Sequence, residues 1–305
     1  MKLYIFCLLG IIFLVKDAFA ELTVCSTIRP LYSLVENITK GIYDSKLLVS
    51  KANSSPHNYN FSPSELKLLS SCDIVFFIDK DLEYFIPKAI KAVGKKNVVL
   101  IELAKDPSID LLKNRKENVI NTHDNHVHDH NHHGANDLHI WLSPKNAKSI
   151  LKIVVDTLIK YDTAHLNQYV SNLEAVQEKV NSLDKELELK LQPYKNSPYI
   201  VFHDAYQYFD THYKLQYLGE VSSGEHAISA KKLALLQDII IKNQVKCIFS
   251  EPEFSDHVIV KIAKNTKIKI GTLDAEWGNE VQNTEIYFDL MHNLTSNFIQ
   301  CMNNK

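Results

Sequence analysis

From Lys145 to Gln192 the chain contains neither glycine nor proline, and no other feature narrows its possible folds so far. Apolar residues in that run recur at helical spacing: Leu151, Val154, Val155 and Leu158, then Leu173, Val176, Val180, Leu183 and Leu187. Ser143-Pro144 supplies an N-cap and a first helical residue, so the run reads as long helices. If the portion from about Ala164 to Gln192 is one helix, it extends roughly 40 Å, enough to brace two lobes. A dimerising coiled coil is the competing reading, but the heptads are not sustained.

On both sides of this run, strand and helix alternate. In the first half the strand-like runs are LTVCST (22 to 27), KLLVS (46 to 50), DIVFFI (73 to 78) and NVVLIE (97 to 102). Helices are expected from Pro30 to Lys40, after Ser62-Pro63-Ser64-Glu65, and near 82 to 93. Ser62 to Glu65 combines an N-cap serine, a proline at N1 and a glutamate at N3. After Pro193 the pattern returns, with strands at YIVFH (199 to 203), KLQYL (214 to 218), KCIFS (246 to 250) and IKIGTL (268 to 273), and helices near 229 to 243, 254 to 264 and 284 to 300. Short, continuously apolar strands separated by helices belong in parallel sheets covered on both faces. The expected class is therefore α/β, with two βα lobes, each a four-stranded mainly parallel sheet, at 21–143 and 193–305, joined by a helical connector at 144–192.

The first 20 residues carry an early lysine, an apolar stretch from Leu3 to Val15 and Ala18-Phe19-Ala20, which reads as a cleavable export signal. Lys16 and Asp17 interrupt the apolar stretch well short of the ~20 residues that span a bilayer, and no lipoprotein pattern precedes Cys7 or Cys25. A net charge of −2 and a pI near 6.7 argue against a nucleic-acid partner. Export permits disulfides. Cys247, in an apolar strand, and Cys301, at the end of the last helix, are placed so that a bond would staple the C-terminus to the second lobe. Cys25 and Cys72 read as small buried residues. None of the cysteines forms a CxxC pair of the kind thiolate zinc sites use.

The segment from 103 to 137 is too long for an ordinary connection. Within its loop at 121–136 stand His123, His126, His128, His130, His132 and His133, a low-complexity run whose composition reads as metal binding. Four further residues fall where an open parallel sheet places its ligands, beyond the carboxyl ends of strands. His57 follows the second strand, His139 the fourth, His203 ends the first strand of the second lobe, and Asp274 follows the last. Three imidazoles with a carboxylate or water satisfy a tetrahedral zinc ion. Asp137, Asp204 and Glu251 are candidates to hold the second ring nitrogens. His165, His212, His226, His257 and His292 have no matched partner and read as surface or structural residues.

The motifs SSPHNYNFSPSE, DLHIWLSP, VFHDAYQYF, FSEP and GTLD occur in this order across essentially the whole mature chain. Together they resemble the zinc-binding solute receptors of bacterial ABC importers, the ZnuA type of the cluster A-I group. The resemblance implies a C-clamp of two lobes on a rigid helix, with metal between them held by His57, His139 and His203. It implies Asp274, another carboxylate or water at the fourth position, and a disulfide between Cys247 and Cys301. It further implies Zn(2+) as the transported ligand, a membrane permease and its ATPase as partners, a monomer in the periplasm, and no enzymatic activity. Manganese receptors of the group carry glutamate where this chain has His203, so VFHD favours zinc. A zinc buffer or tolerance protein, a manganese receptor and a surface adhesin remain alternatives. A zinc enzyme is disfavoured because HExxH, GxSxG and GxxxxGKS/T are all absent.

Overall fold

The computed structural model describes residues 22–51, 54–94, 97–115, 134–221, 229–276 and 282–303. The expected export signal, the six histidines from His123 to His133 and His226 lie outside these residues. The first sheet holds β1 (Val24–Ser26), β2 (Lys46–Leu47), β3 (Ile74–Phe77) and β4 (Val99–Glu102) in the order β2-β1-β3-β4. The second holds β5 (Tyr199–Val201), β6 (Tyr217–Glu220), β7 (Cys247–Ser250) and β8 (Lys269–Thr272) in the order β6-β5-β7-β8. Every pairing in both sheets is parallel. The central strands β1, β3 and β5 are wholly buried, as continuous apolar runs require. In each sheet the chain lays its second strand on one side of the first and its third on the other. That reversal opens a crevice at the carboxyl ends of the strands.

Helices α1 (Arg29–Thr39), α2 (Pro63–Ser71) and α3 (Phe85–Val93) cover the first sheet, and α4 (Pro144–Tyr161) leads to α5 (Leu166–Leu191). Ser62 forms the expected capping box: its hydroxyl accepts from the Glu65 amide at 3.3 Å, and its own amide donates to Glu65 Oε2 at 2.8 Å. The α5 helix runs unbroken for 26 residues, about 39 Å. It buries Tyr169, Val176, Val180, Leu183, Leu187 and Leu191 as one stripe and packs on α4, α1 and α9 (Ile286–Asn303). The second lobe is completed by α6 (Gln207–Tyr213), α7 (Ala230–Lys242) and α8 (His257–Thr266).

One apolar core runs through both lobes, from Val24 and Leu34 through the α5 stripe to Tyr199, Phe249 and Phe298. Polar contacts reinforce it. Ser33 and Asn37 on α1 both donate to the Thr284 carbonyl at 2.7 Å, and Ser33 Oγ accepts from the Tyr287 amide. Trp141 Nε1 donates to the Ala275 carbonyl at 2.9 Å. The last helix of the second lobe therefore docks on the first.

Two sequence expectations are corrected. The strand expected at 214 to 218 begins at Tyr217, because α6 occupies 207 to 213 and Lys214 ends it in the left-handed conformation (φ 57°). Cys25 and Cys72 are buried, as expected of small core residues, but they are also bonded to each other. The reason is spatial: Cys72 caps α2 directly beneath β1, 5.9 Å from Cys25 between Cα atoms, an ordinary disulfide separation. Cys247 and Cys301 are bonded as anticipated. Beside that bond, Gly271 leaves room for close packing: a Cβ there would lie 2.5 Å from the Phe249 ring and 3.0 Å from Cys301 Cβ.

The Cys25–Cys72 bond closes a long loop, with a sequence separation of 47. Replacing both residues by alanine is expected to lower unfolding stability by about 2–4 kcal/mol, seen as a lower denaturant midpoint with no change of secondary structure.

Candidate metal centre

Three of the four sequence-selected ligands meet. His57, from the loop after β2, His139, just before a 3-10 turn at Ile140–Leu142, and His203, just beyond β5, present ligand atoms all within 4.8 Å of one another. His57 Nε2 and His139 Nε2 lie 3.3 Å apart. Two nitrogens each about 2.05 Å from a tetrahedral zinc ion would also be about 3.3 Å apart. Ring centroids are 5.4 Å apart for His57 and His139, 5.3 Å for His57 and His203, and 5.1 Å for His139 and His203. A cavity of about 180 Å³ opens on all three and is also lined by Asp81, Arg115, Asp204 and Glu220.

Each imidazole is aimed by its own loop. Asp137 Oδ1 accepts from His139 Nδ1 at 2.8 Å and from the His139 amide at 2.9 Å. This fixes the tautomer that leaves Nε2 with its lone pair toward the centre. The Trp141 ring packs at 5.3 Å behind His139. His57 donates its amide to Ser55 Oγ at 3.2 Å. Its loop is anchored where Tyr59 donates to Glu65 Oε1 at 2.5 Å and where Arg29 donates to the carbonyls of Ser50 and Lys51. His203 Nδ1 lies 3.6 Å from Glu251 Oε2, at ion-pair rather than hydrogen-bond distance.

The three carboxylates singled out from sequence thus divide. Asp137 serves His139, Glu251 faces His203, and Asp204 is engaged by Arg115 at 3.4 Å. Asp274 stands outside the set of mutually close ligand atoms, and its Oδ1 accepts from the Glu276 amide at 2.9 Å. Among the other described histidines, His165 and His212 pair with Asp162 and Asp184 away from the cleft, and His292 lies 3.7 Å from Glu186. Sequence reasoning missed Arg115 and Glu220 in the cavity wall. The rarity of arginine in this chain was the one available signal for Arg115.

Residues 24–301 match the family described as ZnuA, zinc-uptake complex component A, periplasmic. The high-affinity zinc uptake system protein ZnuA of Yersinia pestis is 28% identical over 293 residues, covering 93% of this chain and 92% of its own length. Its counterpart in Brucella abortus (strain 2308) is 30% identical over 303 residues, covering 90% of each. A crystal structure of ZnuA superposes with a TM-score of 0.75 at 25% identity, covering 92% of this chain and 96% of the other. The laminin-binding adhesin Lmb of Streptococcus agalactiae gives a TM-score of 0.75 at 20% identity over 92% of this chain and 99% of the other. That second likeness speaks to the fold alone.

The cleft is rich in carboxylates. Burial works against charging His203, but the facing Glu251 carboxylate together with Glu220 and Asp204 outweighs it and pushes the imidazole up to about 9. A metal taking this ligand in neutral solution must therefore displace a proton. Burial also pushes Glu220 up to about 7, with Asp204 adding to it. Burial, then Glu253 and Asp274, holds Glu276 well above the usual carboxylate range. At the cleft end of β3, the fully buried Glu83 accepts from the Ile78 amide at 2.5 Å and the Asp79 amide at 3.3 Å. Burial pushes it from 4.5 up to about 7.

Because the folded form of Glu83 holds its proton more tightly than the unfolded form, its contribution to stability is greatest below pH 4.5. It is lost as pH rises towards 7. Glu83→Gln keeps the acceptor for both amides and is expected to remove this slope, on the order of 3 kcal/mol. Denaturant unfolding of metal-free protein at pH 5 and pH 8 measures it; an unchanged slope in the variant would contradict the assignment.

Proposed function

The chain belongs to the ZnuA family of zinc-uptake components, and from that premise we propose that it captures Zn(2+) outside the cytoplasm and delivers it to an ABC importer. The observation that carries this reading is the convergence of His57, His139 and His203 from loops of both lobes. Zinc is cargo here, not a catalytic cofactor, and the imidazoles bind and release it without making or breaking covalent bonds. A nitrogen-rich donor set suits zinc, whereas manganese prefers more oxygen. The fourth position falls to Asp274, another carboxylate or water. The 180 Å³ cavity is polar and roomy enough to hold water, so an ion can enter with part of its hydration and exchange it for nitrogen.

In this reading residues 1–20 direct export and are removed, and the mature monomer works in the periplasm with a permease and its ATPase. No helix among the described residues is long and apolar enough to cross a membrane. The units are the lobes at 21–143 and 193–305 with the connector at 144–192. His123, His126, His128, His130, His132 and His133 form a weaker auxiliary site. That run also favours a second reading, a zinc buffer, in which loss of the gene lowers tolerance to excess zinc and leaves growth under zinc limitation intact.

Calorimetric titration separates the two. Mature protein and a variant lacking 123–133 are expected to share one tight zinc site that His203→Ala loses, with manganese bound more weakly. Tight binding that follows the deleted run would instead support the buffer. Zinc needs neutral imidazole and His203 holds its proton up to about 9, so affinity in the wild type is expected to fall as pH drops from about 9 through the ordinary imidazole range near 6.5.

A further inference from the structure

Only two of the chain's 34 basic residues are arginine, Arg29 and Arg115. In so lysine-rich a chain, a guanidinium is distinguished by its planar fork of five donors rather than by its charge. Arg29 uses that fork on the loop of His57, as described above. Arg115 stands at the foot of the long insertion before His139 and reaches into the opposite lobe. Its Nη2 donates to Asp210 Oδ2 at 2.6 Å, its Nη1 lies 3.4 Å from Asp204 Oδ1, and its plane lies 3.7 Å above the Tyr217 ring.

The rest of the foot follows it. Lys113 and Asn136 form an antiparallel bridge, so the residues entering and leaving the insertion are held side by side. Tyr208 on α6 accepts from the Leu112 amide at 3.0 Å and donates to the Asp137 carbonyl at 2.8 Å. Gln207 Nε2 donates to the Lys113 carbonyl at 3.0 Å. Residues that chain order assigns to the first lobe are thus bonded to α6 and its neighbours in the second.

The two ends of this attachment lie beside two different metal ligands. Asp137, whose carbonyl is held by Tyr208, holds the His139 imidazole with its carboxylate. Asp204, engaged by Arg115, directly follows His203. We propose that the foot of the insertion is a cross-lobe clamp in which Arg115 and Tyr208 are positioning residues, setting the separation of His139 and His203 and hence how tightly metal is held. The proposal rests on the zinc-receptor reading of these histidines. Neither residue is one of the three ligands: Tyr208 holds the backbone of Asp137, and Arg115 holds the carboxylate of Asp204, the residue after His203. A tetrahedral site tolerates little drift between its nitrogens, so loosening either end spreads the ligands and lets the ion leave sooner.

The test compares wild type, R115A, R115K and Y208F, with K152A as control, since Lys152 makes only an exposed pair with Asp156 on α4. Zinc affinity is measured by competition with a chromophoric chelator, release by stopped flow into excess chelator, and stability by the unfolding midpoint of metal-free protein. R115A and Y208F are expected to weaken zinc about 10–100-fold, chiefly through faster release. R115K recovers part of the loss, since the charge remains without the fork, and K152A matches wild type. Wild-type affinity and release in both R115A and Y208F overturn the clamp; should R115A fail to fold, Y208F decides alone by the same criterion. Absence of tight zinc binding in the wild-type chain overturns instead the receptor reading beneath it.

Discussion

The site depends on holding three imidazoles from two separately built sheets at the spacing of one metal ion. His57 and His139 belong to one sheet and His203 to the other, so their separation is a property of the lobe interface. The spacings that cross it, 5.3 Å and 5.1 Å between the His203 ring centroid and those of His57 and His139, cannot be maintained by loops alone. The interface is stiff for an identifiable reason: α5 presents one buried stripe to helices of both lobes, and α9 is bonded to α1 through Ser33, Asn37 and the Thr284 carbonyl. A core that is continuous across the lobes turns them into a single frame, and close-packed interiors deform little.

Within that frame, electrostatics oppose folding and favour the cargo. Glu220, Glu253 and Glu276 are all pushed upward, in each case first by burial and then by neighbouring carboxylates. Gathering partly buried carboxylates in and beside the cleft is costly for the metal-free protein, since each ionised form is poorly solvated. An arriving divalent cation lowers that cost for every group at once. The same field raises His203, so protons compete for the ligand that a metal needs.

Much of the frame was legible beforehand because it follows from local rules. The Gly- and Pro-free run became α4 and α5, and the Ser62 box formed as its residues dictate. The apolar runs became parallel strands, and His57, His139 and His203 stood at strand ends, where the sheet topology brings ligands together. The misses involved information that is not local. The partner of Cys25 depends on where α2 delivers Cys72, and α6 was overlooked because a seven-residue helix has too few turns to show a period.

Residue order and composition by themselves determined that this chain builds two α/β lobes around a long helix, with histidines at the sheet ends facing a common gap. Periodicity and strand-end placement are near-neighbour properties, and they survive in one dimension. Tertiary structure alone decided which carboxylate serves which imidazole, that Asp274 turns its Oδ1 to the Glu276 amide, and that Arg115 crosses from one lobe to the other. The last of these joins residues 95 positions apart, and its partner is chosen by packing of the two lobes, which no stretch of sequence records.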